Sequence, residues 1–259
     1  MDYKKEENKE EFLNFKSSVF KDFEKFIDEL SDDVNKKNKY KQAVNLTYWL
    51  NDYKKYLKQE KSFNPKFLPV YKKGSIVEVN LGFNIGTEYG GVHYGIVLTP
   101  NDTKKNSNLT ILPLSSMKAN KTKKDLHTYE LFLGAEIYNI LTEKAMLLLN
   151  DIQNEINKLP EILSNINIED EHMEFPIAID LKGKIDFEKL EKRRIQAYNC
   201  LNKSKKMKKG SFAKINQITT ISKMRVRDPL NELSPLYNVV VSEDIMNYIN
   251  KFLEHFFKF

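Results

Sequence analysis

One histidine of the chain sits where it could do chemistry. His93 follows three glycines in the stretch NIGTEYGGVHYGIVL, Asn84 to Leu98, with Glu88 and Tyr89 just ahead of it. An imidazole titrates near pH 6.5 when unperturbed, so it can take or give a proton at neutral pH. Gly86, Gly90 and Gly91 let the chain turn tightly and bring its backbone close to another group. The apolar, β-branched run that follows, Gly95 to Leu98, reads as a buried strand. The loop therefore carries Glu88, Tyr89 and His93 to a strand edge, where a rigid scaffold can present reactive groups. A second candidate is the end of LTILPLSS, where Ser115 and Ser116 precede Lys118, Lys121, Lys123 and Lys124. A serine hydroxyl can donate to an anionic oxygen and a lysine loop can hold phosphates, although such loops are also ordinary solvated turns. His93 also has a plain structural reading, as a loop cap, and Glu88 as a carboxylate binding backbone amides.

The elements that position these residues follow from periodicity. From Glu10 to Leu30 the residues Phe12, Phe15, Val19, Phe23, Phe26 and Leu30 step by three and four, which predicts an amphipathic helix with a packing face. A second helical pattern runs through Leu46, Leu50, Tyr53 and Leu57, so residues 8–60 read as a helical hairpin, closed by a linker at Pro65 and Pro69. Strands are expected at Ile76 to Val79, Ile96 to Leu98, Leu109 to Leu114 and Tyr129 to Leu133, with two more within Phe212 to Ile221. Residues 134–209 return to helical spacing and read as an insertion. The end of the chain predicts a helix capped by Ser242, with Glu243 and Asp244 in its first turn. This gives an α+β chain: an N-terminal helical extension over 1–66, then a small β-barrel domain over 67–259 interrupted by the 134–209 insertion. Neither helical addition buries enough surface alone, and the expectation is that the two pack on each other.

Composition adds bounds. In 259 residues, 42 basic against 36 acidic side chains leave a formal charge of +6, a modest excess that suits a polyanionic partner where it clusters. The single cysteine, Cys200, can form no internal disulfide and fits a reducing compartment. No apolar run reaches the length of a membrane span or signal segment, so a cytoplasmic protein is expected. The acidic stretch Glu169, Asp170, Glu171, His172 with Glu174 reads as a solvated turn, and neither a metal nor a cofactor is expected. The five lysines within Lys203 to Lys209 read as a soluble helix end or a nucleic-acid-tracking arm.

Three pieces, in order, resemble the MazF/PemK (Kid) family of type II toxin endoribonucleases, in a long form. They are KKGSIVEVNLGFNIGTEYGGVHYGIVL, LTILPLSS and SFAKINQITTISKMRV, which together with the C-terminal helix span residues 71–133 and 210–259. The resemblance implies an SH3-like barrel that forms a homodimer, cuts single-stranded RNA without metal, and is blocked by a cognate antitoxin. Cleavage by the 2′-hydroxyl would leave 2′,3′-cyclic phosphate and 5′-hydroxyl ends. Carried over residue by residue, the family's catalytic arginine falls on His93 and the following proline on Tyr94, which are both departures. The catalytic Thr or Ser falls on Ser115, with Ser116 beside it; the loop glutamate falls on Glu88 and the strand-pair glutamine on Gln217. His93 in place of arginine shifts the site from fixed charge toward proton transfer.

On this reading His93 and Ser115 are the catalytic pair. Glu88, Tyr89, Tyr94, Ser116, Lys118, Lys121 and Gln217 bind substrate, with the two tyrosines able to stack bases or to seal a dimer. Gln217 could equally satisfy barrel backbone groups. The alternative function is a non-catalytic RNA- or protein-binding module on the same barrel. A gyrase poison of the CcdB type is disfavoured, because the Trp-Gly-Ile terminus it depends on is replaced by Phe256, Phe257, Lys258 and Phe259.

Overall fold

The computed structural model describes residues 1–32, 37–118, 122–164, 186–208 and 210–258; Lys121, Lys209 and the acidic stretch 169–174 lie outside them. These residues fall into two compact units, Met1–Phe63 with Gly82–Ile85, and Asn64–Leu81 with Gly86–Phe259.

The first unit contains α1 (Lys9–Asp32) and α2 (Lys37–Gln59). Among its described apolar side chains only Leu30, Ala43 and Leu46 are buried. The stripe expected to be a packing face is instead largely exposed, with Phe12 at 42 %, Phe15 at 51 % and Phe26 at 42 %. The seam between two helices is too narrow to hide so wide a stripe. Trp49 stacks on Tyr53 with ring centroids 5.7 Å apart. Gly82, at φ +86°, lies under that indole, and a Cβ there would come within 2.8 Å of Trp49 Cζ2. Both the left-handed backbone and the contact demand glycine. Gly82→Ala should therefore destabilise this unit by about 1–3 kcal/mol, read as faster limited proteolysis of the α1 and α2 segment; an unchanged proteolysis rate would contradict it.

The second unit is built on a seven-stranded antiparallel sheet of β1 (Ile76–Asn80), β2 (Val92–Val97), β3 (Asn108–Ser116), β4 (Glu130–Gly134), β5 (Ser211–Lys214), β6 (Thr219–Ser222) and β7 (Val226–Asp228). Its order is β4-β5-β3-β2-β1-β7, with β6 also paired to β3. The long β3 pairs with β6 through Asn108 to Ile111 and with β5 through Leu114 to Ser116. The expected barrel is thus met only in part. The fold is α+β with an antiparallel sheet, but no pairing joins β4 to β7 among the described residues, and the sheet is open.

Both faces of the sheet are covered, because successive side chains along a strand point to opposite sides. Ile76, Ile96, Leu112 and Leu131 enter one core, together with Ile137, Leu141 and Ala145 of α3 (Glu136–Asn157). The same core takes in Cys200 of α5 (Phe187–Lys206) and Ile249 of α6 (Glu243–Phe257); the short α4 (Leu159–Ser164) follows α3. Val77, Val79, Val97, Leu109, Ile111 and Tyr71 form the core on the other face. The insertion helices therefore find a third surface in the sheet. Lys144 of α3 donates to the carbonyls of Pro235 and Tyr237 at 2.9 and 2.5 Å, and Lys203 of α5 pairs with Glu78 of β1 at 3.1 Å and Asp228 of β7 at 2.8 Å. Cys200 is fully buried, and burial pushes its thiol pKa up, which makes it an inert core residue. Ser242 caps α6, its hydroxyl oxygen accepting from the Ile245 N–H at 3.4 Å.

Candidate active site

The side chains that could do chemistry gather on the sheet face opposite the insertion helices. His93 lies on β2 itself, paired across to Val79, rather than in the loop ahead of it. Alternation then sends Tyr94 to the other face, where its ring packs against the first core with the Lys203 ammonium 5.4 Å from its centroid. The structure thus separates Tyr94 from His93.

Tyr89 is the centre of the arrangement. Its hydroxyl donates to the Leu114 carbonyl at 2.9 Å and lies 2.9 Å from His93 Nδ1. The two rings are 4.1 Å apart. Its backbone N–H donates to Gln217 Oε1 at 3.1 Å, which ties the glycine loop to the turn between β5 and β6. The Ser115 hydroxyl is near enough to the Tyr89 phenol to favour its ionised form. A phenol has one proton. With that proton on Leu114, the phenol oxygen accepts from Nδ1–H and the basic lone pair of His93 resides on Nε2.

Burial sets the electrostatics. It is the largest effect lowering the His93 pKa below its ordinary 6.5; hydrogen bonds that the protonated ring gives to the Gly90 and Leu114 carbonyls oppose it, and the charge of Lys214 adds to it. Burial also raises the Tyr89 pKa, with the Ser115 hydroxyl acting against it and Glu130 adding to it. At neutral pH the site therefore holds a neutral imidazole and a neutral phenol.

Sequence reasoning missed two residues here. Lys214 of β5 stands directly across from Glu130 of β4, and its Nζ donates to Glu130 Oε1 at 2.9 Å. The ammonium lies 5.4 Å from the Tyr89 ring centroid, 5.5 Å from that of Phe212 and 5.9 Å from that of Tyr129, which His127 covers in turn. The alternation of Phe212 and Lys214 was a signal that they share a face, but only the strand register brings them to Glu130 and Ser115.

The remaining expected residues are more peripheral. Glu88, Ser116 and Lys118 are exposed, and Lys123 lies over the Phe132 ring at 5.9 Å. Among the described residues no group of three or more His, Cys, Asp or Glu side chains is placed to hold a metal ion, and no helix is long and apolar enough to cross a membrane.

Residues 72–137 match the family described as the PemK-like, MazF-like toxin of type II toxin-antitoxin system. This segment is PemK-like. It runs from β1 through β4 into α3 and contains Glu88, Tyr89, His93, Ser115 and Glu130. Lys214 and Gln217 complete the site from outside the PemK-like segment. A search of curated proteins finds no match to the chain.

Proposed function

We propose that the protein is a metal-independent endoribonuclease that cleaves single-stranded RNA as the toxin of a type II toxin-antitoxin pair. The observation that carries this reading is the convergence of His93, Tyr89 and Ser115 at one end of the PemK-like sheet. PemK/MazF toxins are typically endoribonucleases, and their type II systems pair each toxin with an antitoxin. By the same resemblance the protein works as a cytoplasmic homodimer.

Cleavage by an internal nucleophile needs a base, a route for a proton to the leaving oxygen, and donors for charge on phosphorus. His93 Nε2 takes the proton of the 2′-hydroxyl. The O2′–P bond forms as the P–O5′ bond breaks, and the 5′-oxygen leaves with a proton from water while the imidazolium returns its own to solvent. Tyr89 accepts from Nδ1–H and holds the ring in the tautomer this requires. Ser115 turns its hydroxyl from Tyr89 to a non-bridging oxygen. No step calls on a metal ion.

The pH–rate profile tests the role of His93. The titratable groups that face it are Tyr89 from the loop and Lys214 from β5. As a base His93 acts in its neutral form, so kcat/KM should be level through neutral pH and fall on the acid side, with an apparent pKa below 6.5 because burial and Lys214 disfavour the imidazolium. Activity that rises as pH drops through that range would make His93 an acid, and a flat profile from pH 5 to 8 would show that His93 merely binds.

A further inference from the structure

A neutral imidazole does not itself supply the positive charge that a phosphodiester requires. The cations of the sheet differ in what they can offer. Lys203 lies on the opposite face, held by two carboxylates. Lys223 is fully buried against Asp102. Lys118 is exposed beyond the end of β3, where a charge is well screened. Lys214 is different on each count. It shares the His93 face, and its side chain is 20 % exposed, enough to meet a ligand but with much of its water removed.

We propose that Lys214 is the phosphate-binding cation of this site, held in place by Glu130 and by the rings of Tyr89, Tyr129 and Phe212. The proposal rests on the RNA-cleaving reading and names the group that grips the scissile or adjoining phosphate.

The geometry supports it in three ways. Ser115 pairs directly with Phe212 across β3 and β5, so Lys214 is its diagonal neighbour on the same face. Such neighbours are about 7–8 Å apart, within the span of a lysine side chain, and one phosphate can therefore take a hydrogen bond from Ser115 and an ammonium contact from Lys214. Glu130 is itself anchored: its side chain is 2 % exposed, and Oε2 accepts the His127 N–H at 3.1 Å. It fixes the ammonium through a single bond, and an ammonium has three donors. The three rings surround the charge by cation–π contact without using a hydrogen bond, so donors remain for a ligand.

The test is binding of a 2′-O-methyl RNA oligonucleotide, which cannot be cut, to the full chain over a range of salt concentrations. Lys214→Met alone leaves the Glu130 charge buried without a counter-ion, so the paired variant Lys214→Met/Glu130→Gln is measured beside it, with Lys214→Arg as the conservative variant. The proposal expects the paired variant to bind about tenfold more weakly at low salt and to lose one phosphate contact from the salt dependence, a change in slope of about 0.7 for a single strand. Lys214→Arg should restore both. A paired variant that binds with wild-type affinity overturns the proposal, as does weaker binding with an unchanged salt slope. Lys214-dependent binding by a wild-type protein that cuts no RNA would uphold the proposal and overturn the nuclease reading, whereas a wild-type protein that does not bind the oligonucleotide overturns both.

Discussion

His93→Ala should lower the rate of RNA cleavage by about 10²–10⁴-fold, the usual contribution of a positioned acid or base. The protein should stay folded. His93 is half-buried at the start of β2, and its loss leaves Tyr89 held through its hydroxyl to Leu114 and through its N–H to Gln217. The neutral ring's hydrogen bond to Tyr89 is removed, a cost of about 1 kcal/mol. Cleavage and thermal unfolding measured on the same preparation separate the two effects. A variant that melts like the wild type and still cuts at the wild-type rate would place the chemistry on another residue.

The largest effect on stability is expected at an ion pair that takes no part in the chemistry. Lys223 and Asp102 are both fully buried and pair at 2.7 Å. Lys223 also donates to the Thr103 carbonyl at 3.1 Å, and Asp102 accepts the Tyr71 N–H at 2.9 Å. Tyr71 fills the same core, its hydroxyl donating to the Pro229 carbonyl at 2.9 Å, and burial followed by the charge of Asp102 pushes its pKa well above the ordinary phenol range. Asp102→Ala leaves an ammonium buried without its counter-ion and should cost about 3–5 kcal/mol. For a unit of this size that corresponds to a fall in Tm of roughly 6–20 °C. Asp102→Asn/Lys223→Met, which removes both charges together, should cost clearly less. Equal losses from the two variants, or a loss under about 1 kcal/mol from Asp102→Ala, would contradict this account.

What could be read from the sequence follows its physics. Strands β1 to β6 were legible because their apolar or β-branched runs are short and lie between turn residues, and α6 because Ser242 and the acids behind it mark a helix start. The three residues Val226–Asp228 of β7 carry too short a pattern to announce a strand. The phenylalanine stripe of α1 was legible as a helix face, but periodicity does not say whether a partner surface exists, and most of the stripe is exposed. In the site, the glycine loop pointed to His93 and Tyr89, and the match to family motifs pointed to Ser115 and Gln217. Periodicity could not show that Tyr94 leaves the His93 face, which follows from His93 lying on the strand itself. Lys214 and Glu130 were invisible for a different reason. They are 84 residues apart, separated by the whole insertion, and meet only through the β4–β5 register.

The central claim is cleavage by the RNA's own 2′-hydroxyl, with proton transfer at His93 and no metal ion. End-group analysis of the products formed from a single-stranded RNA in excess EDTA tests it most directly. The account predicts undiminished cleavage with 2′,3′-cyclic phosphate on one fragment and a 5′-hydroxyl on the other. Fragments bearing a 5′-phosphate, or cleavage that vanishes in EDTA and returns with a divalent cation, would contradict it.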